Sequence, residues 1–277
     1  MTRTVLISIA FVLAVAGAGV ILTSRPGSAA AAQAKSGMPP RAPAAKSPQP
    51  AAEKHPAIEK KAIPPASGKE IFSKKGCGGC HALTGPEKKI PVTERAKIKG
   101  PSLWYTGSKY RHGYLARWLA APRAFRGVLF GTMKRGRTPH PALPAGEAKA
   151  VGVYLEGFRD AKMPKGTVPR WKKIPRRVLR KARILFQKKQ PCYSCHQVKI
   201  RKTVYRRPIQ LGGFSAPHLI DAGLRLRPDF IAAFLKNPAR YNPNGRMPIY
   251  RDKAFTRLSE KDIIGLSAYI STFKEKP

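Results

Sequence analysis

Large apolar residues recur twice along this chain in the same order. Tyr114-Leu115-Ala116-Arg117-Trp118-Leu119-Ala120-Ala121-Pro122 and Phe230-Ile231-Ala232-Ala233-Phe234-Leu235-Lys236-Asn237-Pro238 both place them at i, i+1, i+4 and i+5. That spacing is one face of a short helix, and a proline stops each copy. A longer amphipathic helix follows in both places: Ala145 to Phe158, with Tyr154, Leu155 and Phe158, and Ser259 to Phe273, with Tyr269, Ile270 and Phe273. Ser259-x-x-Asp262 reads as a capping box with Asp in the place of Glu or Gln. Upstream, Ile71-Phe72 stands behind a Ser67-x-x-Glu70 capping box. Ile184-Leu185-Phe186 takes the matching place behind Pro175, which suits a first helical turn. No convincing strand alternation appears, so the pattern predicts an all-α protein built from two tandem domains, residues 67–165 and 166–277.

The N-terminal segment follows another rule. Arg3 precedes Val5 to Leu22, an uncharged run of 18 residues, and Ser28 to Ala34 is a stretch of small residues. Residues 1–34 therefore read as a signal peptide or an N-terminal membrane anchor. Residues 35–66 are mostly Ala, Pro, Lys and Ser and read as a disordered linker, in which His55 is a solvated residue.

Candidate chemistry sits between the first and middle helices of each repeat. All four cysteines lie in Cys77-Gly78-Gly79-Cys80-His81 and Cys192-Tyr193-Ser194-Cys195-His196. C-x-x-C-H is the attachment pattern for c-type haem: two thiols can add to the porphyrin vinyl groups, and the adjacent histidine can ligate the iron. A zinc ribbon would pool the two pairs into one four-thiolate site and has no need of the histidines. A thioredoxin-like motif wants a βαβ setting, and structural disulfides would leave the histidines unexplained. Pro101 lies 24 residues after Cys77 in Gly100-Pro101-Ser102-Leu103, and Pro217 lies 25 after Cys192 in Ala216-Pro217-His218-Leu219. A methionine precedes each closing helix, Met133 and Met247, 21 and 22 residues before Tyr154 and Tyr269.

With its C-x-x-C-H motifs, Pro-x-Leu steps, methionines and closing helices, the chain from residue 67 onward resembles the tandem two-haem class I cytochromes c. The resemblance implies two all-α domains, each wrapped around one covalent haem c. Cys77, Cys80, Cys192 and Cys195 would hold the porphyrins. His81 with Met133 and His196 with Met247 would ligate the two irons, and the carbonyls of Pro101 and Pro217 would accept the Nδ1 protons of the histidines. The second domain has the family's Met-Pro in Met247-Pro248. The first departs from it, with Met133-Lys134, while Met163-Pro164 falls after the closing helix. Met163, His112, His140 and an open position are the alternatives there. His112 and His218 read most simply as surface or loop residues.

Methionine opposite histidine favours Fe(II), and a six-coordinate iron leaves no position for oxygen or peroxide chemistry. The implied function is single-electron transfer between respiratory redox partners outside the cytoplasm, by a carrier or as a subunit of an oxidoreductase complex. The alternative is a two-haem peroxidase or sulfur-compound dehydrogenase with one open or displaceable ligand.

The formal net charge of +40 points to an acidic partner. Residues 161–220 contain no Asp or Glu, and Arg176, Arg177, Arg180 and Lys181 lie in their densest cationic cluster. These four are a candidate docking surface for an acidic redox protein or respiratory complex, with an anionic membrane surface as the other candidate. Nucleic acid, the usual partner of so basic a chain, is not expected for an exported protein.

Overall fold

The computed structural model describes residues 65–130, 132–190, 192–200, 209–251 and 256–275. The expected leader or anchor, almost all of the linker and the run Val5 to Leu22 lie outside these residues. Among the described residues no helix is long and apolar enough to cross a membrane.

In the first half, α1 (Pro65–Lys74) starts on a proline, which has no N–H to leave unpaired in a first turn. It begins two residues before Ser67, so Ser67 lies inside the helix and does not cap it. Two short helices follow, α2 (Thr106–Lys109) and α3 (Tyr114–Ala120), and then α4 (Ala145–Glu156). On α4, Ala148, Val151 and Leu155 recur at i, i+3 and i+7, and this buried face packs against α1 and α3.

The second half repeats the plan. Pro175 stands just outside α5 (Arg176–Ile184) as its N-cap, not in its first turn. α6 (Ala222–Arg225), α7 (Pro228–Lys236), the extra turn α8 (Pro238–Tyr241) and α9 (Glu260–Ile270) follow. Ser259 caps α9 as expected: its side chain accepts a hydrogen bond from the Asp262 N–H at 3.2 Å. Ile263, Leu266 and Ile270 form the buried face of α9, which packs against α5 and α7.

The two halves match down to individual contacts. Phe72, Tyr154 and Phe158 form a ladder of rings with centres 5.8 and 5.1 Å apart. Phe186, Tyr269 and Phe273 make the matching contacts at 5.7 and 4.9 Å, closed here by a third, Phe186 on Phe273 at 5.6 Å. Phe72 is five residues before its first cysteine and Phe186 is six before its own. The difference is absorbed where α5 widens into a π turn at Leu185–Lys189, which inserts one residue and keeps the ring in place. The Gly107 and Gly223 N–H groups both donate at 2.8 Å, to the carbonyls of Phe158 and Phe273.

One expectation is corrected. The fold is mostly helical but not purely so: β1 (Val198–Ile200) and β2 (Ile209–Leu211) pair antiparallel, Val198 opposite Leu211 and Ile200 opposite Ile209. Val-Lys-Ile and Ile-Gln-Leu do alternate, but three residues are too few to stand out as strands.

The described residues belong to one compact unit, and the halves meet about a local two-fold. Tyr110 bridges Leu226, its counterpart in the repeat. The Arg111 N–H donates to the Arg225 carbonyl and the Arg227 N–H to that of Lys109, both at 2.9 Å. Equivalent residues pairing reciprocally are the mark of an isologous contact. Tyr105 of the first half stacks on Phe230 at 5.7 Å, and its hydroxyl donates to the Tyr241 carbonyl. Asp160 of the first half takes two hydrogen bonds from the Arg240 guanidinium, 2.7 and 2.5 Å, and a third from the Tyr241 hydroxyl at 3.1 Å. Arg240 holds the Asp160 carboxyl below its usual range, against the opposing effect of burial.

Candidate haem-binding sites

Each signature folds as one tight turn. Cys77–Gly79 and Cys192–Ser194 are 3-10 turns. The His81 N–H then reaches back to the Cys77 carbonyl at 3.1 Å, and that of His196 to Cys192 at 3.0 Å. A helical turn of this kind brings residues three apart onto one side, so the two thiols of each pair face together with the histidine beside them. All four cysteines are free, the first of each pair half-buried and the second exposed. Among the described residues they stand as two separate pairs with no third ligand gathered for a bare metal ion. Burial pushes the Cys77 thiol above its ordinary range and the Cys192 thiol up to about 12.

The histidines are oriented by the proline steps. Leu103 and Leu219 each donate at 2.8 Å to the carbonyl of the residue after the signature histidine, Ala82 and Gln197. That bond lays Pro101 beside His81 and Pro217 beside His196, with Nδ1 to carbonyl oxygen distances of 2.7 and 2.6 Å. A carbonyl can only accept, so Nδ1 carries the proton in both rings and the Nε2 lone pair is left for a ligand bond. Gly100 lets the first ring lie close: a Cβ there would sit 2.6 Å from the imidazole. Behind the second turn, a Cβ on Gly213 would sit 2.1 Å from the Ser194 carbonyl, so backbone packs directly on backbone. Burial keeps the His196 imidazole below its ordinary range and therefore neutral, as a ligand must be. Free paired thiols and an imidazole with its far nitrogen open fit a covalently held porphyrin iron at each turn.

The cytochrome c family is matched over residues 180–274, a span that includes the second signature, its proline step and Met247. Residues 180–274 form a cytochrome c domain. No curated protein and no solved structure matches the chain. A cytochrome c domain carries haem c covalently and serves haem-based electron transfer.

The cytochrome c domain has Met247 half-buried at the edge of its core. Around it the structure adds residues that the sequence did not single out. In the first half, residues 127–130 and 132–136 pair back on each other as a small arm: Val128 bridges Arg135, and the Gly136 N–H meets the Gly127 carbonyl. The arm leans on the second half. The Gly127 N–H donates to the Phe214 carbonyl, and the Arg135 guanidinium lies 4.1 Å over the Phe214 ring. Met133 rides on this arm, 47% exposed, with its sulfur against the Arg246 guanidinium next to Met247. Its contact is thus with the second site's methionine loop. Met163 is buried in the core, and His112 is exposed and bonded to Glu156 at 2.6 Å.

His218 lies in a loop, one of the two places expected for it, but not at the surface. It is buried, its backbone N–H donates to the Phe125 carbonyl of the first half at 2.7 Å, and burial beside Arg225 lowers its pKa. The ring is therefore neutral, and the 3.5 Å approach of Asp221 is not an ion pair. Asp221 is bound instead by Arg225, at 2.9 Å. Nothing within the Pro-x-Leu step itself signals that a loop from the other half will cover it.

Of the candidate docking residues, Arg176, Arg177 and Arg180 are exposed on α5. Lys181 is engaged with Asp262 of α9 at 2.6 Å.

Proposed function

We propose that the chain is a two-haem c-type cytochrome, with the cytochrome c domain preceded by a second one over residues 67–165. The observation that carries this is the repeated proximal arrangement: two C-x-x-C-H turns, each with its histidine Nδ1 tied to a proline carbonyl, at 2.7 and 2.6 Å. Cys77 and Cys80 hold one haem and Cys192 and Cys195 the other. His81 and His196 are the iron ligands on that side, and Met247 completes the second iron. Pro101 and Pro217 fix the two tautomers.

The chain works as a carrier of single electrons between respiratory partners outside the cytoplasm, held to the membrane by residues 5–22 or released by cleavage after Ala32 or Ala34. Its field favours an acidic redox partner, since a net charge of +40 steers association with negative surfaces. Full-length protein made in a host with the haem-attachment machinery should show two haem additions by mass that survive denaturation. One addition, or bound zinc in their place, overturns this reading.

A further inference from the structure

Resting on the reading that the first signature carries a haem, we propose that the distal ligand of that haem is His140, and not Met133. The ring centres of His81 and His140 lie 6.1 Å apart, with their planes tilted by 42°. With a metal–imidazole bond of about 2 Å on each side and each ring nitrogen about 1 Å from its ring centre, two imidazoles sharing one iron have centres about 6 Å apart. Rotation about the metal–nitrogen bonds leaves the angle between the planes free, so the tilt fits as well.

The hydrogen bonds leave the same atoms open on both rings. Nδ1 of His81 is tied to the Pro101 carbonyl at 2.7 Å, and Nδ1 of His140 to the Pro141 carbonyl at 2.9 Å. The proton sits on Nδ1 in both, and both Nε2 lone pairs remain available. His140 is also held as a ligand needs to be held. It lies in Thr138-Pro139-His140-Pro141, where the two prolines restrict the backbone on either side. The Trp118 ring of α3 packs on it at 4.6 Å. Trp118 is fixed in turn by a hydrogen bond to the Arg123 carbonyl and by stacking on Phe125 at 5.3 Å.

Met133 meets none of these conditions: the arm carries it to Arg246 of the other half. The second half has no histidine between residues 219 and 277, so this pairing has no counterpart there and Met247 keeps its role. Two histidines give a lower potential than histidine with methionine, so the first haem is the stronger reductant of the two. The chain would then carry a potential step between two haems in one compact unit.

The test uses the full-length oxidised protein with its haems attached. Both irons should be low-spin, and the methionine–iron charge-transfer band should amount to one haem in two. Met133→Leu should leave the band unchanged, Met247→Leu should abolish it, and His140→Met should double it and raise one midpoint potential. A band worth two haems that Met133→Leu halves would overturn the assignment, and so would a high-spin iron in the unmodified protein. The band and the spin state are read on the unmodified protein and need no variant to fold. The haem count by mass is separate: two haems with a methionine band at both defeats His140 alone, and a single haem defeats the two-haem reading with it.

Discussion

After the middle helix of the first half, the chain leaves at Leu119 and is tied back when the Leu143 N–H donates to the Leu119 carbonyl at 2.9 Å. In the second half the same return bond joins Tyr250 to Leu235, also at 2.9 Å, and the excursion is nine residues shorter. The longer excursion holds the arm, Met133 and His140. The shorter one holds Met247. On the other side of each site the halves share their key bonds: the signature turn closes at 3.1 and 3.0 Å, and the histidine Nδ1 meets the proline carbonyl at 2.7 and 2.6 Å. A short motif whose backbone bonds are all local leaves little freedom, so both copies keep one geometry. A loop anchored only at its ends costs little to lengthen, and one copy has used that freedom to reach its neighbour.

The sharpest test of the shared side is a matched pair of substitutions. A Cβ on Gly107 would lie 2.0 Å from the Glu156 carbonyl oxygen, and one on Gly223 would lie 2.1 Å from that of Ser271. Relief requires the short helix to move off the closing helix, which strains the 2.8 Å bond that each glycine N–H makes there. Gly107→Leu and Gly223→Leu should each destabilise the protein by about 3 kcal/mol, measured by denaturant unfolding of the haem-loaded chain. If one is costly and the other neutral, the halves are not equivalent at this joint.

What the chain revealed in advance follows the same division between local and distant. The two signatures, the proline steps, the middle helices and the Ser259 cap were legible because each is carried by residues within a turn or two of one another. The hairpin at Val198–Ile200 and Ile209–Leu211 escaped because its pairing, not its three-residue pattern, makes it a strand pair. Burial of His218 depends on Phe125, far away in sequence, and the start of α1 at Pro65 displaced a capping box that the letters alone suggested. The place of Met133 depends on contacts between the halves, which spacing within one repeat cannot express. The approach of His140 to His81 spans most of the first half and left no periodic mark.

A smaller effect should come from the fastening between the halves, where the first half contributes the acid and the second the base. Asp160→Ala removes three hydrogen bonds to Arg240 and Tyr241 and should cost about 2 kcal/mol, since Arg240 keeps some access to water. The Asp160 carboxyl is held below its usual range in the folded protein. Its contribution is therefore complete above an unfolded carboxylate value of about 3.9 and fades as the pH falls through the lower folded value. Unfolding curves of the variant and the parent should lie apart near neutral pH and draw together in strong acid. A gap that persists unchanged below about pH 2 would mean that the side chain acts through packing and not through its charge.

The last contrast concerns the outer faces of the two first helices and should leave stability untouched. α1 carries Lys69, Glu70 and Lys74, a mixture of signs, whereas the matching α5 reads Arg-Arg-Val-Leu-Arg-Lys-Ala-Arg-Ile. Lys181 is already engaged with Asp262; of the exposed arginines of α5, which also include Arg183, the candidate docking surface keeps Arg176, Arg177 and Arg180. Changing these three to Glu should alter unfolding by no more than about 0.5 kcal/mol, because exposed substitutions away from packed features seldom do more. The rate of electron exchange with an acidic redox protein should fall, and its dependence on salt should flatten, since the steering field is what salt screens. Lys69→Glu with Lys74→Glu, on the first helix of the first half, changes the net charge in the same direction without touching α5. If this pair slows exchange as much per charge as the arginines do, overall charge governs the encounter. A loss confined to the α5 variants would place partner docking beside the second signature, on the half that carries the cytochrome c domain.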